Sequence, residues 1–209
     1  MSSDRFAVLV HEVRSPVAAL VAIADAYPAA DKARRRRLAQ LARAAVASIE
    51  RLLADAMAES LLLDRVDAGA LARDAAETAA LGGSLVVAET EDGLVVDADR
   101  DRLRQALDNL IGNAIGHSPA GGTVTVTVRR EGDSIVIAVA DEGDGIPAGD
   151  LDRVFEPGVR LTDARPGSGL GLAVVRAVAR EHGGEVEVES SPGQGATFRL
   201  VLPGASGAG

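Results

Sequence analysis

Residues 123–147, TVTVTVRREGDSIVIAVADEGDGIP, decide the fold class of the second part of this chain. Thr123–Val128 and Ser134–Ala140 alternate apolar and polar side chains, which is the period of a half-buried β-strand. A Gly-Asp turn lies between them. The segment therefore predicts a pair of strands in a sheet.

An acidic turn with two glycines follows the second of these strands directly. The carboxylate of Asp141 stands at the exit of the strand, and Gly143 and Gly145 allow another group to approach the backbone closely. Such a carboxylate can accept a hydrogen bond from the amino group of adenine. An ordinary acidic turn explains the same residues equally well.

Further strand and helix patterns surround this strand pair on both sides. Strands are predicted at residues 84–87, 93–96, 185–189 and 196–202, and helices at 66–81, 99–115 and 170–182. This alternation favours a layer of helices on a sheet. We place this α/β domain at residues 63–205 and expect a flexible tail at 206–209. His182 is expected to interact with the C-terminus of its own helix.

Two segments of this domain could bind a nucleotide. Asn109 and Asn113 lie four residues apart on one helical face, where their amide oxygens could bind a hard cation such as Mg²⁺. The glycine-rich run 167–172 opens a predicted helix, where unpaired backbone N–H groups favour phosphate. The run has no lysine and follows no strand, unlike a Walker A loop or a dinucleotide fingerprint. A solvated polar face and a flexible hinge are the alternatives, and residues 155–166 are typical of a mobile lid.

Residues 1–62 follow a different pattern and form a separate predicted domain. Their apolar residues advance alternately by four and three in two series, Phe6, Val10, Val13, Val17, Leu20, Ala24, Tyr27 and then Leu38, Ala42, Ala45, Ile49, Leu52, Ala56. Asp4 is predicted to cap the first helix, and Pro28 to end it. One helical hairpin cannot bury both apolar seams, so we expect two chains to form a four-helix bundle. The predicted fold class is α+β, with this dimeric hairpin followed by an α/β sandwich.

A candidate nucleophile lies on the flank of the first predicted helix. His11 follows the seam residue Val10, so its imidazole is expected to be accessible, and Glu12 could hold the proton of one ring nitrogen. Ser15 lies four residues on, on the same face. Pro16 is expected to bend or loosen the helix. Taken alone, a surface histidine followed by a glutamate is unremarkable.

The composition restricts the possible functions. The chain has 209 residues, a formal net charge of −9 and no cysteine. The negative charge disfavours binding of the whole chain to nucleic acid or to an anionic membrane. The lack of cysteine excludes disulfides and suits a cytoplasmic location. The apolar run at residues 17–24 is far shorter than the roughly 20 residues of a membrane-spanning helix.

Taken together and in this order, the motifs resemble those of two-component sensor histidine kinases over nearly the whole chain. His11–Pro16 is similar to the H box, Asn109–Asn113 to the N box, Asp141–Gly145 to the first glycine box, Phe155 to the F box, and residues 167–172 and 193–198 to the second and third glycine boxes. The resemblance implies a dimerisation and phosphoacceptor hairpin joined to an ATP-binding domain of the Bergerat (GHKL) type.

The resemblance also implies which residues act in catalysis. It makes His11 the phosphoacceptor and Glu12 the general base. Arg160 aligns with an arginine of the lid, whose charge could neutralise the transferred γ-phosphoryl group. Ser15 stands where many relatives have a threonine or asparagine that orients water for dephosphorylation of the partner.

A nucleotide site is implied in the same way, with ATP and Mg²⁺ as cofactors. Asp141 contacts the adenine, and Asn113 is the Mg²⁺ ligand with Asn109 in support. The other expected contacts are His117, Gly143, Gly145, Gly167, Ser168, Gly169, Leu170, Gly171, Leu172 and Thr197. Gly116 and His117 replace a basic and an aromatic residue of the family, so one phosphate contact is either absent or supplied by the imidazole. Gly158 replaces the second aromatic residue of the F box.

The implied partners are a second copy of the chain and the receiver domain of a response regulator, whose aspartate accepts the phosphoryl group. The input signal would come from a separate sensor protein or from an upstream segment. Two alternatives differ in mechanism. One is a catalytically weak phosphotransfer or phosphatase adaptor, and the other is a Bergerat-type ATPase or anti-sigma serine kinase.

Overall fold

The computed structural model describes residues 3–28, 31–32, 34–35, 37–42, 45–46, 48–49, 61–161 and 169–205. The chain divides into two compact units, Met1–Leu61 and Leu62–Gly209. The sequence places the boundary one residue later, after residue 62. Among the described residues, no helix is both long and apolar enough to span a membrane.

The first unit contains a long helix, α1 (Ser3–Ala26). Because α1 begins at Ser3, Asp4 lies inside the helix and the prediction that it caps the helix was wrong. The helix continues through Pro16 without a break, since a proline removes one hydrogen bond of the helix and the neighbouring bonds remain. Every described residue between 32 and 49 is also helical. The last two positions of the second apolar series, Leu52 and Ala56, lie outside the described residues.

The second unit is built on two sheets. The smaller sheet pairs β1 (Asp64–Asp67) with β3 (Val95–Ala98) in antiparallel orientation. The larger sheet has the strand order β2-β4-β5-β7-β6, with the bounds β2 Leu85–Thr90, β4 Thr123–Glu131, β5 Ser134–Ala140, β6 Glu185–Ser190 and β7 Ala196–Pro203. Within this sheet only the pair β2 and β4 is parallel.

Three helices pack against one face of the larger sheet: α2 (Ala68–Ala80), α3 (Arg100–His117) and α4 (Gly171–Glu181). The predicted alternation in β4 is seen as buried Val124, Val126 and Val128 between half-buried threonines. Burial of one face of a strand and one side of each helix produces a single core between the two layers.

The predicted start of the first helix of this unit was wrong. Val66 lies in β1 and not in a helix, and it is buried with only 4% of its surface exposed. The helix α2 starts two residues later, where the Asp67 side chain accepts a hydrogen bond from the Ala70 N–H at 2.9 Å. The strand partner of Val66 is Val96. Because α2 and β2 lie between these partners in the chain, a local pattern could not reveal the pairing.

Candidate nucleotide-binding site

Asp141 stands at the end of β5, beside the start of β7. Its backbone N–H donates to the Ala196 carbonyl at 2.9 Å. Its carboxylate oxygen Oδ1 accepts from the N–H groups of Gly143 at 2.8 Å and Ala196 at 3.2 Å. The residue is only 9% exposed. The second oxygen, Oδ2, takes no part in these bonds, so the carboxylate is fixed in orientation and keeps one acceptor for a ligand.

The glycines around Asp141 allow two turns to lie against each other. The Gly195 N–H donates to the Gly143 carbonyl at 3.0 Å. A β-carbon at Gly195 would lie 1.9 Å from the Asp141 carbonyl oxygen, and one at Gly145 would lie 2.0 Å from the Ser191 carbonyl oxygen. Both glycines also have positive φ angles, 69° and 72°. No other residue fits these two positions without moving the backbone.

The turn after β5 also contacts the end of α3. A β-carbon at Gly143 would lie 2.6 Å from the carbonyl oxygen of His117, the last residue of that helix. His117 itself is exposed. The contact therefore joins the predicted adenine residue Asp141 to the helix that carries Asn109 and Asn113.

Of the two asparagines of α3, Asn109 lies beside the start of α4. Both are partly exposed, and their spacing of four places them on one helical face. A β-carbon at Gly171, the first residue of α4, would lie 3.2 Å from the Asn109 side-chain oxygen. The structure thus brings Asn109 next to a helix N-terminus, where backbone N–H groups point outward, and Asn113 lies one turn further along α3.

The F-box residue Phe155 is buried and anchors the next loop. Its ring lies edge-on to Phe198 of β7 at 6.1 Å, and the Arg176 guanidinium lies 5.8 Å from its centroid. Three residues later, the Gly158 N–H donates to the Gly169 carbonyl at 3.0 Å. Gly158 has a φ angle of 76°, which explains why a glycine can stand where the family has an aromatic residue.

The other predicted site residues lie as follows. Thr197 is in β7 opposite Ala140 of β5, and Leu170 and Leu172 flank the start of α4. Arg160 is exposed, and Gly167 and Ser168 lie outside the described residues. In the first unit, Ser15 is exposed on α1. His11 and Glu12 are helical residues of α1, and the structure describes their backbone but not their side chains.

Two supports of the site were missed by sequence reasoning. They are the Ala196 N–H, which holds Asp141, and the hydroxyl of Ser190, which accepts from the Ile146 N–H at 2.8 Å and donates to the Gly195 carbonyl at 2.5 Å. Both depend on contacts of β6 and β7 with the turn after β5, which is distant from these strands in the sequence. The turn 191–193 between the two predicted strands was the only local signal in the sequence.

The sequence is similar to proteins of known type. The model of the family described as histidine kinase-, DNA gyrase B- and HSP90-like ATPases matches residues 98–206. The sensor-like histidine kinase SenX3 of Mycobacterium tuberculosis is 37% identical over 215 aligned positions, which cover 92% of this chain and 52% of that protein. The alginate biosynthesis sensor protein KinB of Pseudomonas aeruginosa is 44% identical over 105 residues, 50% of this chain and 18% of that protein. The chain spans about half, or less, of the length of these curated relatives.

Solved structures give the same result for the fold. The mycobacterial sensor histidine kinase MprB has a TM-score of 0.62 at 29% identity, covering 68% of this chain and 98% of that one. ShkA, solved at full length in complex with AMPPNP, has a TM-score of 0.66 at 27% identity and covers 100% of this chain and 47% of that one. The resemblance inferred from the motifs, and the Bergerat-type α/β fold of the second unit, are confirmed. The chain therefore belongs to the family of histidine kinase-, DNA gyrase B- and HSP90-like ATPases, and its relatives are sensor histidine kinases.

Proposed function

We propose that this chain is the core of a two-component sensor histidine kinase. It would phosphorylate its own His11 from MgATP and pass the phosphoryl group to an aspartate of a response regulator receiver domain. The observation that carries the proposal is the half-engaged carboxylate of Asp141, held by two backbone N–H groups beside the asparagine helix. The names of the relatives support a kinase over the other activities of the family.

In this proposal ATP binds with its adenine at Asp141. The Oδ2 atom would accept a hydrogen bond from the adenine amino group, and a fixed carboxylate makes that bond at little cost in entropy. The phosphates would extend toward Asn109 and the start of α4, where the helix N-terminus favours anions. Thr197 and the turns that contain Gly145 and Gly195 would line the walls of the nucleotide site.

The residues present fit a bound Mg²⁺. Asn113 offers a neutral amide oxygen on the same helical face as Asn109, and Mg²⁺ accepts such an oxygen together with phosphate oxygens and waters. Mg²⁺ bound with ATP would supply positive charge beside the β- and γ-phosphates. Asn113 is the residue that would hold it.

The chemical step would use residues of both units. Glu12 holds the proton of one His11 ring nitrogen, so the other nitrogen carries a free electron pair and attacks the γ-phosphorus. A phosphorus–nitrogen bond forms while the bond from the γ-phosphorus to the bridging oxygen breaks, and ADP leaves with that electron pair. Arg160 would neutralise charge on the transferred group.

The first unit supports a homodimeric assembly. Its described residues expose several apolar side chains, namely Val17, Val21, Tyr27 and Leu41, each at least 43% exposed. A second copy of the hairpin would cover these surfaces in a four-helix bundle.

We also propose a cytoplasmic location, a sensor located on a separate protein or an upstream segment, and a phosphatase activity in which Ser15 orients water.

The proposal is tested with γ-labelled MgATP and the full chain. Wild-type protein should acquire label that is labile in acid and stable in base, as phosphohistidine is, and His11→Ala should acquire none. A receiver domain added afterwards should remove the label. Nucleotide binding without label on His11 would instead favour the adaptor or the ATPase, and label on a serine would favour the serine kinase.

A further inference from the structure

A network of hydrogen bonds joins the first residues of α3 to the last residues of α4. The Asp99 N–H donates to His182 Nε2 at 3.0 Å, and His182 Nδ1 lies 2.7 Å from the Val178 carbonyl oxygen. The Asp99 Oδ1 caps α3 by accepting from Asp101 and Arg102 N–H at 3.1 Å. We call Asp99, Arg102, Glu181 and His182 the helix junction.

Three side chains of the junction are largely buried, and Asp99 is half-buried. His182 is 9% exposed. The Arg102 guanidinium donates to both oxygens of the Glu181 carboxylate at 2.8 to 3.1 Å, and each side chain is 10% exposed. Bidentate pairs of this kind fix orientation as well as distance. The last turn of α4 is therefore attached to the first turn of α3 at two points.

The same two helices approach each other again at the nucleotide site. Asn109 lies ten residues after Asp99, and Gly171 lies eleven residues before His182, so both spans are about 15 Å at about 1.5 Å per residue. A β-carbon at Gly171 would lie 3.2 Å from the Asn109 oxygen. The helices are therefore antiparallel, with the junction at one end of the pair and the candidate site at the other.

The junction also holds the point where the chain enters this unit. The Leu62 N–H donates to Asp99 Oδ2 at 3.2 Å. Both carboxylate oxygens of Asp99 are thus used by backbone groups, and its own N–H depends on His182. The His182 ring can make both of its bonds only when its proton is on Nδ1. With the proton on Nε2, the bonds to the Asp99 N–H and to the Val178 carbonyl would both be lost.

We propose that His182 is a positioning residue for the nucleotide site, acting through the register of α3 and α4. Its neutral ring, with the proton on Nδ1, accepts from Asp99 and donates to Val178. This sets where Asn109 and Asn113 lie relative to the first N–H groups of α4. The inference rests on the proposed ATP binding at that site and adds to it a residue about 15 Å from the ligand.

The tautomer can be measured directly. In ¹⁵N NMR spectra of the full chain at neutral pH, His182 should show a protonated Nδ1 and an unprotonated Nε2. Neutral histidines in water favour the tautomer protonated on Nε2, so the spectrum distinguishes a ring held by these two bonds from a ring exposed to water. Only three histidines are present, and His182→Gln identifies the signal. A protonated Nε2 on His182 would overturn the inference, because Asp99 would then face a second donor.

The functional test measures the Kd of a fluorescent ATP analogue with Mg²⁺ at a temperature where every variant is folded. His182→Ala should weaken binding about three- to tenfold, the size of effects transmitted through packed elements. His182→Gln can still accept from Asp99 and should recover part of the loss. Two controls should leave the Kd unchanged: Arg180→Ala, an exposed neighbour on α4, and Val126→Ala, which removes core packing in β4.

Different failures of this experiment have different meanings. If the wild type binds nucleotide and His182→Ala binds equally well while losing stability as Val126→Ala does, His182 is structural only and the inference is wrong. If the wild type binds no nucleotide, the proposed function fails instead. The junction is then still tested in the nucleotide-free protein, where His182→Ala should shift the NMR signals of the Asn109 side-chain amide and the Gly171 N–H, and unshifted signals would contradict it.

Discussion

Two aspartates of the second unit, Asp141 and Asp99, are both held by backbone N–H groups but differ in what remains free. Asp99 uses Oδ1 for two N–H groups of α3 and Oδ2 for the Leu62 N–H. Asp141 uses Oδ1 alone, for Gly143 and Ala196. The first carboxylate is fully engaged by the protein, and the second is oriented with one oxygen unused by these bonds.

This difference separates a structural role from a binding role better than burial or charge does. Both aspartates lie at element ends, Asp141 buried and Asp99 half-buried. Burial alone would raise the pKa of Asp99, but the hydrogen bonds from the backbone N–H groups of Arg102, Leu62 and Asp101 lower it below the usual 3.8. A carboxylate whose bonds are all internal contributes to stability, and one with a spare oxygen can select a ligand.

The largest effect is expected where the support of Asp141 is removed. Gly195→Ala would place a methyl group 1.9 Å from the Asp141 carbonyl oxygen at a φ of 69°. The left-handed backbone costs about 1–2 kcal/mol and the crowding about 1–3 kcal/mol more, so we expect a loss of about 3 kcal/mol in the free energy of unfolding. Urea unfolding measures this.

Gly193→Ala is the matched control. Gly193 has a similar φ of 78°, but no described residue would lie within 4 Å of its β-carbon. Only the cost of the left-handed backbone should remain, about 1–2 kcal/mol. Equal losses in the two variants would show that the contact between the glycine turns is not a source of stability.

Asp141→Asn should change ligand selection with little change in fold. The amide oxygen of asparagine can still accept from Gly143 and Ala196, so we expect a stability loss of less than about 1 kcal/mol. The amide nitrogen would replace Oδ2 and face the adenine amino group donor to donor. We expect at least a tenfold loss of ATP affinity, about 1.4 kcal/mol.

Inosine triphosphate sharpens this test, because its base presents an oxygen where adenine presents an amino group. Calorimetric titration should show that the wild type prefers ATP and that Asp141→Asn loses or reverses the preference. If Asp141→Asn kept the wild-type preference for ATP over inosine triphosphate, the base would not bind at Asp141. Asp99→Asn is the control, since it should lower stability and leave the preference as it is.

For Asp99→Asn we expect a pH-dependent loss of stability. Because the pKa of Asp99 is lowered in the folded state, its carboxylate contributes stability above pH 3.8, and this contribution is lost as the pH falls below that value through the folded pKa. The variant should therefore be about 1 kcal/mol less stable than the wild type at pH 7, the size of one hydrogen bond. The two stabilities should converge below pH 3.8, and a constant gap would exclude the carboxylate charge as the cause.

Local patterns in the sequence predicted most elements of the second unit. The strands β4, β5 and β7 and the helices α3 and α4 begin or end within a few residues of their predicted bounds, because one face of each is buried and the periodicity shows it. The structure has Asp141 after β5, Asn109 on α3 and Gly171 at the start of α4, as the predicted elements had placed them.

The parts that were missed depend on contacts between distant residues. The last two residues of β1, Val66 and Asp67, were predicted as helix because the partner strand β3 follows only after α2 and β2 in the chain. The N–H of Ala196 and the hydroxyl of Ser190 could not be assigned before the strand register was known. The same is true of the bond between Asp99 and His182, which are distant in sequence. Sequence reasoning identified His182 only as a residue that interacts with its own helix end, which the bond to Val178 confirms.

The smallest effect is expected on α3, the helix that Asp99 caps and whose last residue meets the turn after Asp141. Gly112 lies in this helix between the two asparagines, is exposed, and a β-carbon there would meet no described residue outside the helix within 4 Å. Gly112→Ala should therefore raise the free energy of unfolding by about 0.5–1 kcal/mol, since alanine is the better helix former. Thermal unfolding of the wild type and the variant, with and without MgATP, measures the gain in stability and the further stability that bound nucleotide adds. A gain only without nucleotide would mean that the open space over Gly112 belongs to the site, and would extend the binding surface of Asp141 along α3 toward Asn109.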